Sequence, residues 1–576
     1  MKESTRVRNS EVAAVLYEVA DLLEIEGVSF KPRAYRRAAQ TIETLPEDVA
    51  ALYKRGELED MPGIGKSIAA KIGEIIETGN LTYLEQLKKE VPTGVEDLMG
   101  VEGIGPKKAL LLREKLKIES VGDLAEAARK GKLRSMRGFG KKTEDNILEA
   151  VERQQKSPGR FLLGYILPVA QEIEDRLRGF PAVEMVSLTG SIRRKKETIG
   201  DVDMIATSAE PKKVMDFFTS MPGIQKVLAK GVTKSTIVLT NGLQVDLRVT
   251  ERTQYGAALQ YFTGSKDHNI RLRGLAIKQG WKLNEYGLTD EEKGTVIASV
   301  EEGDIYRALG LQYIEPELRE DRGEVKAAQE GKLPDLIRPA DIKGDLHVHT
   351  KWSEGSHTIP EMASTAQGLG LSYIAICDHA KTLAIARGLT EEGIREQMRE
   401  IEALNRTLDG FTVLSGIEGN IDRNGKIDVS DAVLKDLDVV VASVHSGFKQ
   451  SEKEMTERVL TAMHNDHVDI IGHPTGRILN DRPPYHIDLS RIFRTAADLS
   501  VCLEINAFPT RLDLSDVNCF TSREYGVRCS IGSDAHAKEN LRYLAYGVAT
   551  ARRGWLEKGA IINTMGAAEL TAWLRS

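Results

Sequence analysis

Thr189-Gly190-Ser191-Ile192-Arg193-Arg194-Lys195, followed closely by Ile199-Gly200-Asp201-Val202-Asp203-Met204, decides how the front half of this sequence is read. Residues two apart in a strand face the same way, so Asp201 and Asp203 present paired carboxylates on one side of a sheet. A third carboxylate, Asp246, lies in another strand-like run, Leu243-Gln244-Val245-Asp246-Leu247-Arg248. Three hard oxygen donors on adjacent strands suit a two-metal site of Mg²⁺ or Mn²⁺ that activates a hydroxyl and stabilises a leaving pyrophosphate. Gly190, Ser191 and Arg194 would then hold the triphosphate. A lone Asp-x-Asp is commonly a solvated strand edge, but the Gly-Ser turn ahead of this one and the later Asp246 set it apart.

At 576 residues the chain is too long for one hydrophobic core and divides into several units. A formal charge of −7 excludes a uniformly basic nucleic-acid coat, although a polyanion site needs only a local concentration of Lys and Arg. The four cysteines show no CxxC spacing, so neither a disulfide framework nor a zinc ribbon is suggested, and a reducing cytosol fits best. No apolar run is long enough to span a bilayer and no signal-peptide core follows Met1, so a soluble cytoplasmic protein is expected.

Upstream of the carboxylates, from Ser10 to about Lys156, apolar residues recur at helical spacing. This all-α region repeats one turn three times: Met61-Pro62-Gly63-Ile64-Gly65-Lys66, Val101-Glu102-Gly103-Ile104-Gly105-Pro106-Lys107-Lys108 and Met136-Arg137-Gly138-Phe139-Gly140-Lys141. In each, Gly-x-Gly permits close backbone approach and opens a helix whose N-terminal amides can hold a phosphate, while the lysine adds charge. From Ala182 to Val249 alternation and β-branched runs read as strands, and residues 256–316 are mixed and compact. The stretch from Glu317, with many charges, two prolines and little periodicity, reads as a linker. Beyond it, short apolar strands alternate with helical segments, the sequence form of a parallel β/α barrel.

Histidines and carboxylates gather at the C-terminal ends of those strands: Asp345-Leu346-His347-Val348-His349, Cys377-Asp378-His379, Gly416-Ile417-Glu418, Ser443-Val444-His445, Ile471-Gly472-His473 and Gly532-Ser533-Asp534-Ala535-His536. In a β/α barrel these ends converge on one face. Imidazole mixed with carboxylate suits Zn²⁺, Mn²⁺ or Fe rather than Mg²⁺ alone. A single His at a strand end is more often a hydrogen-bonded structural residue; six strand ends behaving alike point to a metal cluster.

These motifs resemble two known families. Gly190-Ser191 through Asp203, together with Tyr261-Phe262-Thr263-Gly264-Ser265, is similar to the family X DNA polymerases, in their bacterial and archaeal branch. The resemblance implies that Gly190, Ser191, Arg194 and Gly200 contact triphosphate, that Tyr261, Phe262 and Gly264 contact the sugar, and that Asn269 and Arg273 meet the incoming nucleotide and the template side. Lys266, where vertebrate members carry Asp, would strengthen triphosphate binding. The three glycine turns resemble helix-hairpin-helix motifs, so Gly63, Gly65, Lys66, Gly103, Gly105, Lys107, Lys108, Gly138, Gly140 and Lys141 are expected to grip DNA backbone without reading sequence. Backbone carbonyls of Met61 and Ile64, and of Met99, Val101 and Ile104, would bind Na⁺ or K⁺. The run from Lys31 to Ala39 resembles the family's lyase domain, which places Lys71, with Tyr35 beside it, either as a Schiff-base nucleophile or as a 5′-phosphate contact; Ser67 replaces a second family lysine.

The C-terminal motifs resemble the polymerase and histidinol phosphatase (PHP) domain, a trinuclear-metal phosphoesterase. Its ligands would be His347, His349, Glu354, His379, Glu418, His445, His473, Asp534 and His536, holding Mn²⁺ or Zn²⁺. Glu354 departs from the family's Asp, and the extra methylene changes that carboxylate's reach. Arg477 and Arg511 would meet either a DNA phosphate or a carboxylate. The expected fold is therefore multidomain: an all-α lyase-like helix-hairpin-helix domain over 1–80, a second DNA-binding one over 81–160, an α+β nucleotidyltransferase palm over 161–255, a thumb over 256–316, a linker over 317–340 and a seven-stranded β/α PHP barrel over 341–576. The expected activity is gap-filling DNA synthesis from deoxynucleoside triphosphates on gapped or primed DNA, by a monomer, with 3′-end and abasic-site trimming by the barrel. Asp246 is the candidate to help deprotonate the 3′ hydroxyl. Two rivals stand beside this reading, a small-molecule phosphatase barrel on a DNA-binding tether and a DNA-end scaffold without catalysis.

Overall fold

A computed structural model describes residues 160–380 and 388–575 throughout. In the N-terminal region it describes 31–43, 49–61, 63–78, 106–118 and 121–134, with isolated residues between and around them. Residues 1–158 form one compact unit and residues 159–576 another.

In the first unit the described residues are helical, as their periodicity predicts: Lys31–Glu43, Val49–Arg55, Lys66–Thr78, Pro106–Leu116 and Val121–Arg129. Their apolar faces meet in a core that includes Leu16, Tyr35, Ile42, Ile72 and Leu112. The first glycine turn shows why glycine is needed there. Gly63 has φ +85°, and a Cβ on it would lie 2.8 Å from Arg37 Cγ. Ile64 N donates to the Met61 carbonyl at 3.1 Å and Ala69 N to the Gly65 carbonyl at 2.9 Å. In the third copy Phe139 N donates to Met136 and Glu144 N to Gly140, both at 3.0 Å, so one turn geometry serves both copies.

The second unit begins with two short strands, β1 (Phe161–Leu162) and β3 (Thr198–Ile199), paired antiparallel. The strands β2 (Met185–Leu188), β4 (Asp201–Thr207), β5 (Ile224–Lys230), β6 (Lys234–Leu239) and β7 (Gln244–Thr250) form a sheet in the order β2-β4-β7-β6-β5. Helices Leu163–Arg178 and Pro211–Phe218 bury its apolar face. β4 and β7 run parallel in a register that sets Asp203 opposite Asp246 and Asp201 opposite Gln244. Next come helices Tyr255–Thr263 and Lys266–Lys278 and an antiparallel meander of β8 (Trp281–Asn284), β9 (Gly287–Asp290) and β10 (Thr295–Ala298).

The stretch 317–340 is not the free linker its composition suggests. It contains the helix Glu324–Gln329, and Arg319 and Glu324 are fully buried. Its two buried charged groups meet residues of the preceding region: Arg319 pairs with Glu302, and Glu324 lies 2.7 Å from His268 Nδ1. Charge density misled the sequence reading because these ions are paired rather than solvated.

The remaining strands are β11 (Gly344–Val348), β12 (Tyr373–Ile376), β13 (Thr412–Asn420), β14 (Val439–Ser443), β15 (Ile470–Ile471), β16 (Cys502–Asn506) and β17 (Cys529–Gly532). They lie side by side in sequence order, all parallel. A parallel bridge from Val348 to Ala535, with His349 N donating to the Ala535 carbonyl at 2.9 Å, brings the first strand beside the last. Strands buried on both faces explain why these runs are continuously apolar rather than alternating.

Candidate active sites

The first site lies where the sheet β2-β4-β7-β6-β5 meets the two helices that follow it. A cavity of about 490 Å³ is lined by Gly190, Ser191, Arg194, Gly200, Tyr261, Phe262, Gly264, Lys266, Asn269 and Arg273, the ten residues that the resemblance assigned to the nucleotide, and also by Asp201 and Asp203. Gly190 adopts φ +62°, and a Cβ on it would lie 3.2 Å from Asp203 Oδ2, so glycine lets the turn close onto the carboxylate. At Gly264, with φ +67°, an added Cβ would lie 3.3 Å from Arg194 Nη1, so glycine serves the second turn in the same sense. Arg194 donates through Nη1 to the Thr263 carbonyl at 2.5 Å, tying the two turns together. Asn269 Nδ2 donates to the Tyr261 carbonyl at 2.8 Å, and Asn269 Oδ1 accepts from Gln260 at 2.7 Å.

Burial, then the neighbouring carboxylates Asp201 and Asp246, push Asp203 up to about 6. Such crowding of like charge is what a divalent cation relieves, so the donor set fits Mg²⁺ or Mn²⁺. Asp246 is engaged by Lys234 at 3.0 Å and by Gln244 at 3.2 Å. Two cavity residues escaped the sequence reading, Arg160 and Lys196. Lys196 continues the basic run after Arg193 and was legible there; Arg160 reaches the cavity only through the β1–β3 pairing, which sets its Nε 2.9 Å from Thr198 Oγ1.

The second site is on the C-terminal rim of the barrel. Glu418, at the end of β13, is ringed by imidazoles: His379 Nδ1 at 3.0 Å, His473 Nε2 at 3.1 Å, His445 Nε2 at 3.2 Å, His347 Nε2 at 3.3 Å and His349 Nε2 at 3.6 Å. Asp534 Oδ1 lies 3.2 Å from His349 Nε2. Glu354 Oε1 lies 2.8 Å from His379 Nε2 and 3.0 Å from His536 Nε2, so the longer carboxylate reaches the cluster. Three overlapping sets emerge with ligand atoms close enough to share an ion: His349, Glu354, His379 and His536; His347, His349 and Asp534; and His379, Glu418 and His445. His473 joins through Glu418.

Several ring nitrogens here are buried without a hydrogen-bond partner among the described residues, including Nδ1 of His349, His445 and His473. Burial and the adjacent His536 push His349 down to about 4, so at neutral pH it carries the lone pair that a metal needs. Glu418 is held well below the usual carboxylate range: burial raises it, and His379, His445 and His347 outweigh that. The chemistry and spacing of these donors fit a cluster of Mn²⁺ or Zn²⁺ ions. Asp534 at φ +54° and His473 at φ +29° occupy strained left-handed backbone, which the close packing of the cluster maintains.

Orienting groups were missed in the sequence. Glu504 accepts from His473 N at 2.6 Å and lies 2.7 Å from His347 Nδ1, while Asn506 Nδ2 donates to Asp534 at 3.0 Å. Their only signal was a Glu and an Asn within the otherwise apolar strand β16. Of the two arginines left open, Arg477 pairs with Glu197 at 2.7 Å and Arg511 lies 3.5 Å from Asp534. His268 is a structural residue, buried between Glu324 at 2.7 Å and Tyr306 at 3.0 Å.

In the N-terminal unit Lys71 Nζ lies 3.2 Å from Ser67 Oγ and 4.9 Å from the centre of the Tyr83 ring, which also stacks on the buried Tyr35. Gly63, Gly65, Lys66 and Gly140 are exposed. Lys108 Nζ lies 5.5 Å from the Phe139 ring centre. Gly103, Gly105, Gly138, Lys141, Met99, Val101, Ile104 and the Lys107 side chain lie outside the described residues.

Known proteins resemble this chain over each of these regions. The sequence matches the family descriptions "DNA polymerase beta thumb" over 258–320 and "PHP domain" over 345–507. It matches "Helix-hairpin-helix domain" over 7–81 and "SAM-like Helix-hairpin-helix tandem" over 95–153. It is 38% identical to "DNA polymerase/3'-5' exonuclease PolX" of Bacillus subtilis (strain 168), over 99% of this chain and 100% of that protein. It is 25% identical to "DNA polymerase lambda" of Rattus norvegicus, over 54% of this chain and 56% of that one. The barrel is 31% identical to "Probable phosphatase Teth514_1060" of Thermoanaerobacter sp. (strain X514), over 38% of this chain and 89% of that protein. No helix among the described residues is long and apolar enough to cross a membrane. With its full length aligned to a PolX protein and each end of the architecture matched separately, the chain belongs to the family X DNA polymerases that carry a C-terminal PHP domain.

Proposed function

We propose that the protein fills short gaps in DNA during repair and trims DNA 3′ ends with its barrel, each reaction having its own metal site. The observation that carries the reading is the convergence of Gly190, Arg194, Tyr261, Lys266 and Asn269 on one cavity with Asp201 and Asp203, in a chain whose PolX relative is named for both activities. Ser191, Arg194 and Lys266 bind the triphosphate, Tyr261 and Phe262 seat the sugar, and Asp201, Asp203 and Asp246 hold the ions. When bound, those ions lower the barrier to attack by the primer 3′ hydroxyl and neutralise the pyrophosphate. Asp246 accepts the proton that the hydroxyl gives up.

In the barrel His347, His349, Glu354, His379, Glu418, His445, His473, Asp534 and His536 hold a metal cluster that, when bound, activates water against a phosphodiester. Glu504 fixes the His347 ring through Nδ1, leaving Nε2 toward the cluster. Arg511, beside Asp534, meets the phosphate of the strand being cut. The helix-hairpin-helix turns hold the DNA backbone through Gly63, Gly65 and Lys66 and their counterparts. Lys71 contacts a 5′ phosphate, its amine anchored by Ser67 and Tyr83.

Extension of a primer across a short gap with Mg²⁺, and shortening of 3′-tailed DNA with Mn²⁺, test the two halves. Asp201→Ala abolishes extension and spares hydrolysis; His349→Ala does the reverse. Loss of both activities from either folded variant would contradict separate sites. Because the barrel's phosphatase relative leaves a second substrate class open, free phosphate esters belong in the same assay, and their turnover in preference to DNA would overturn the exonuclease assignment.

A further inference from the structure

The nucleotide cavity is braced from the barrel. Arg553, which ends the barrel helix Leu544–Arg553, is only 4% exposed. Its Nη1 donates to the Arg194 carbonyl at 2.7 Å and to Glu320 Oε1 at 3.1 Å, and its Nη2 to Asp516 Oδ2 at 2.7 Å. Glu320 Oε1 in turn accepts from Arg194 Nε at 3.0 Å. Arg322 closes the network on Asp516 at 3.0 Å. Nε and Nη1 of Arg194 are thus committed, to Glu320 and to the Thr263 carbonyl, and among the described residues Nη2 has no protein partner. Arg194 lines the cavity, and Nη2 is the nitrogen that its protein partners leave open.

A guanidinium holds a phosphate oxygen by a charge-assisted hydrogen bond, and the recognition is strongest when the donor is already fixed in place. A free arginine loses rotamer freedom each time its ligand binds, whereas this one is immobilised beforehand. Part of that immobilisation comes from Arg553, more than 350 residues away in the chain. It holds the main chain of Arg194 directly and holds the carboxylate that anchors the Arg194 side chain. Removing Arg553 leaves Glu320 with fewer cations, so Glu320 either releases Arg194 or draws it from the cavity; both weaken nucleotide binding.

We infer that Arg553 is a positioning residue for polymerisation: it fixes Glu320 and the Arg194 backbone, so that the barrel raises the polymerase's affinity for a nucleoside triphosphate without touching it. This rests on the reading of the cavity as the nucleotide site. The test is single-nucleotide insertion on gapped DNA by the full chain. Arg553→Ala raises KM for the deoxynucleotide about tenfold while kcat stays within about twofold, the signature of lost binding rather than lost chemistry. Arg553→Lys, which keeps a charge between Glu320 and Asp516 but lacks the planar guanidinium that spreads donors across both and the Arg194 carbonyl, recovers part of that loss. Glu320→Gln raises KM in the same direction. The 3′-hydrolysis rate of each preparation reports whether the barrel is intact and stays within about twofold of the unsubstituted chain. An unchanged KM in Arg553→Ala, alongside a raised KM in Arg194→Ala, would overturn the inference and leave the cavity assignment standing. An unchanged KM in Arg194→Ala would instead overturn the assignment itself. A joint fall of kcat, hydrolysis and melting temperature in Arg553→Ala would reduce the residue to a structural one.

Discussion

Glu302 shows how one buried side chain organises the polymerase half. It is 6% exposed and receives Arg193 at 2.8 Å and the fully buried Arg319 at 2.5 Å. Burial raises its proton affinity, but Arg319 and Arg193 outweigh that and hold the carboxyl far below its usual range. A depressed folded pKa gives stability that is complete above the unfolded value of 4.5 and is lost as pH falls toward the folded value. Glu302→Gln is expected to cost roughly 3–5 kcal/mol at neutral pH, because it strands a buried arginine, and to flatten the acid limb of the stability curve. Urea denaturation between about pH 3 and pH 7 measures both. Because Arg193 also donates to Thr263 at 2.6 Å, the same substitution loosens the two turns that shape the nucleotide cavity.

At the scale of elements, glycines mark where chains approach too closely for any side chain. A Cβ on Gly344, which opens β11, would lie 2.2 Å from the buried Tyr373 ring at the start of β12. Gly344→Ala is therefore expected to destabilise the barrel by about 1–3 kcal/mol through overpacking, read from the denaturation midpoint. Gly190 faces a different constraint. At φ +62° and beside Asp203, Gly190→Ala strains the turn and crowds the carboxylate proposed to hold an ion. Its expected effect is a loss of DNA synthesis of about tenfold or more with little change in melting temperature.

For the whole molecule, a metal cluster at the proposed barrel site would make stability depend on added ions. Ions that bind only the folded cluster add about 2.7 kcal/mol at a hundredfold excess over Kd. Removing them with a chelator is expected to lower the melting temperature of the full chain, and Mn²⁺ to restore it. His349→Ala, which takes a ligand from two of the three donor sets, should show a much smaller response in the same calorimetric scan. The helix Glu324–Gln329 and the buried Arg319 carry the thumb into the barrel without a loose joint. Arg552 pairs with Glu317 at 2.9 Å and Arg322 with Asp516 at 3.0 Å, so that segment is tied at several points.

Local spacing alone determined much of this protein. The Asp201/Asp203 pair, the three glycine turns and the histidines at successive strand ends follow from periodicities of two and of 3.6 residues, which fix where neighbouring side chains point. Resemblance then supplied the residues that line the nucleotide cavity. Tertiary structure alone decided the partnerships. It set Asp203 opposite Asp246, brought Arg160 to the cavity, gave Glu504 its hold on His347, filled the apparent linker with paired charges and put Arg553 behind Arg194. Each of these joins residues far apart in sequence whose proximity depends on sheet register and helix packing, and no local pattern encodes which distant ion a buried charge will meet.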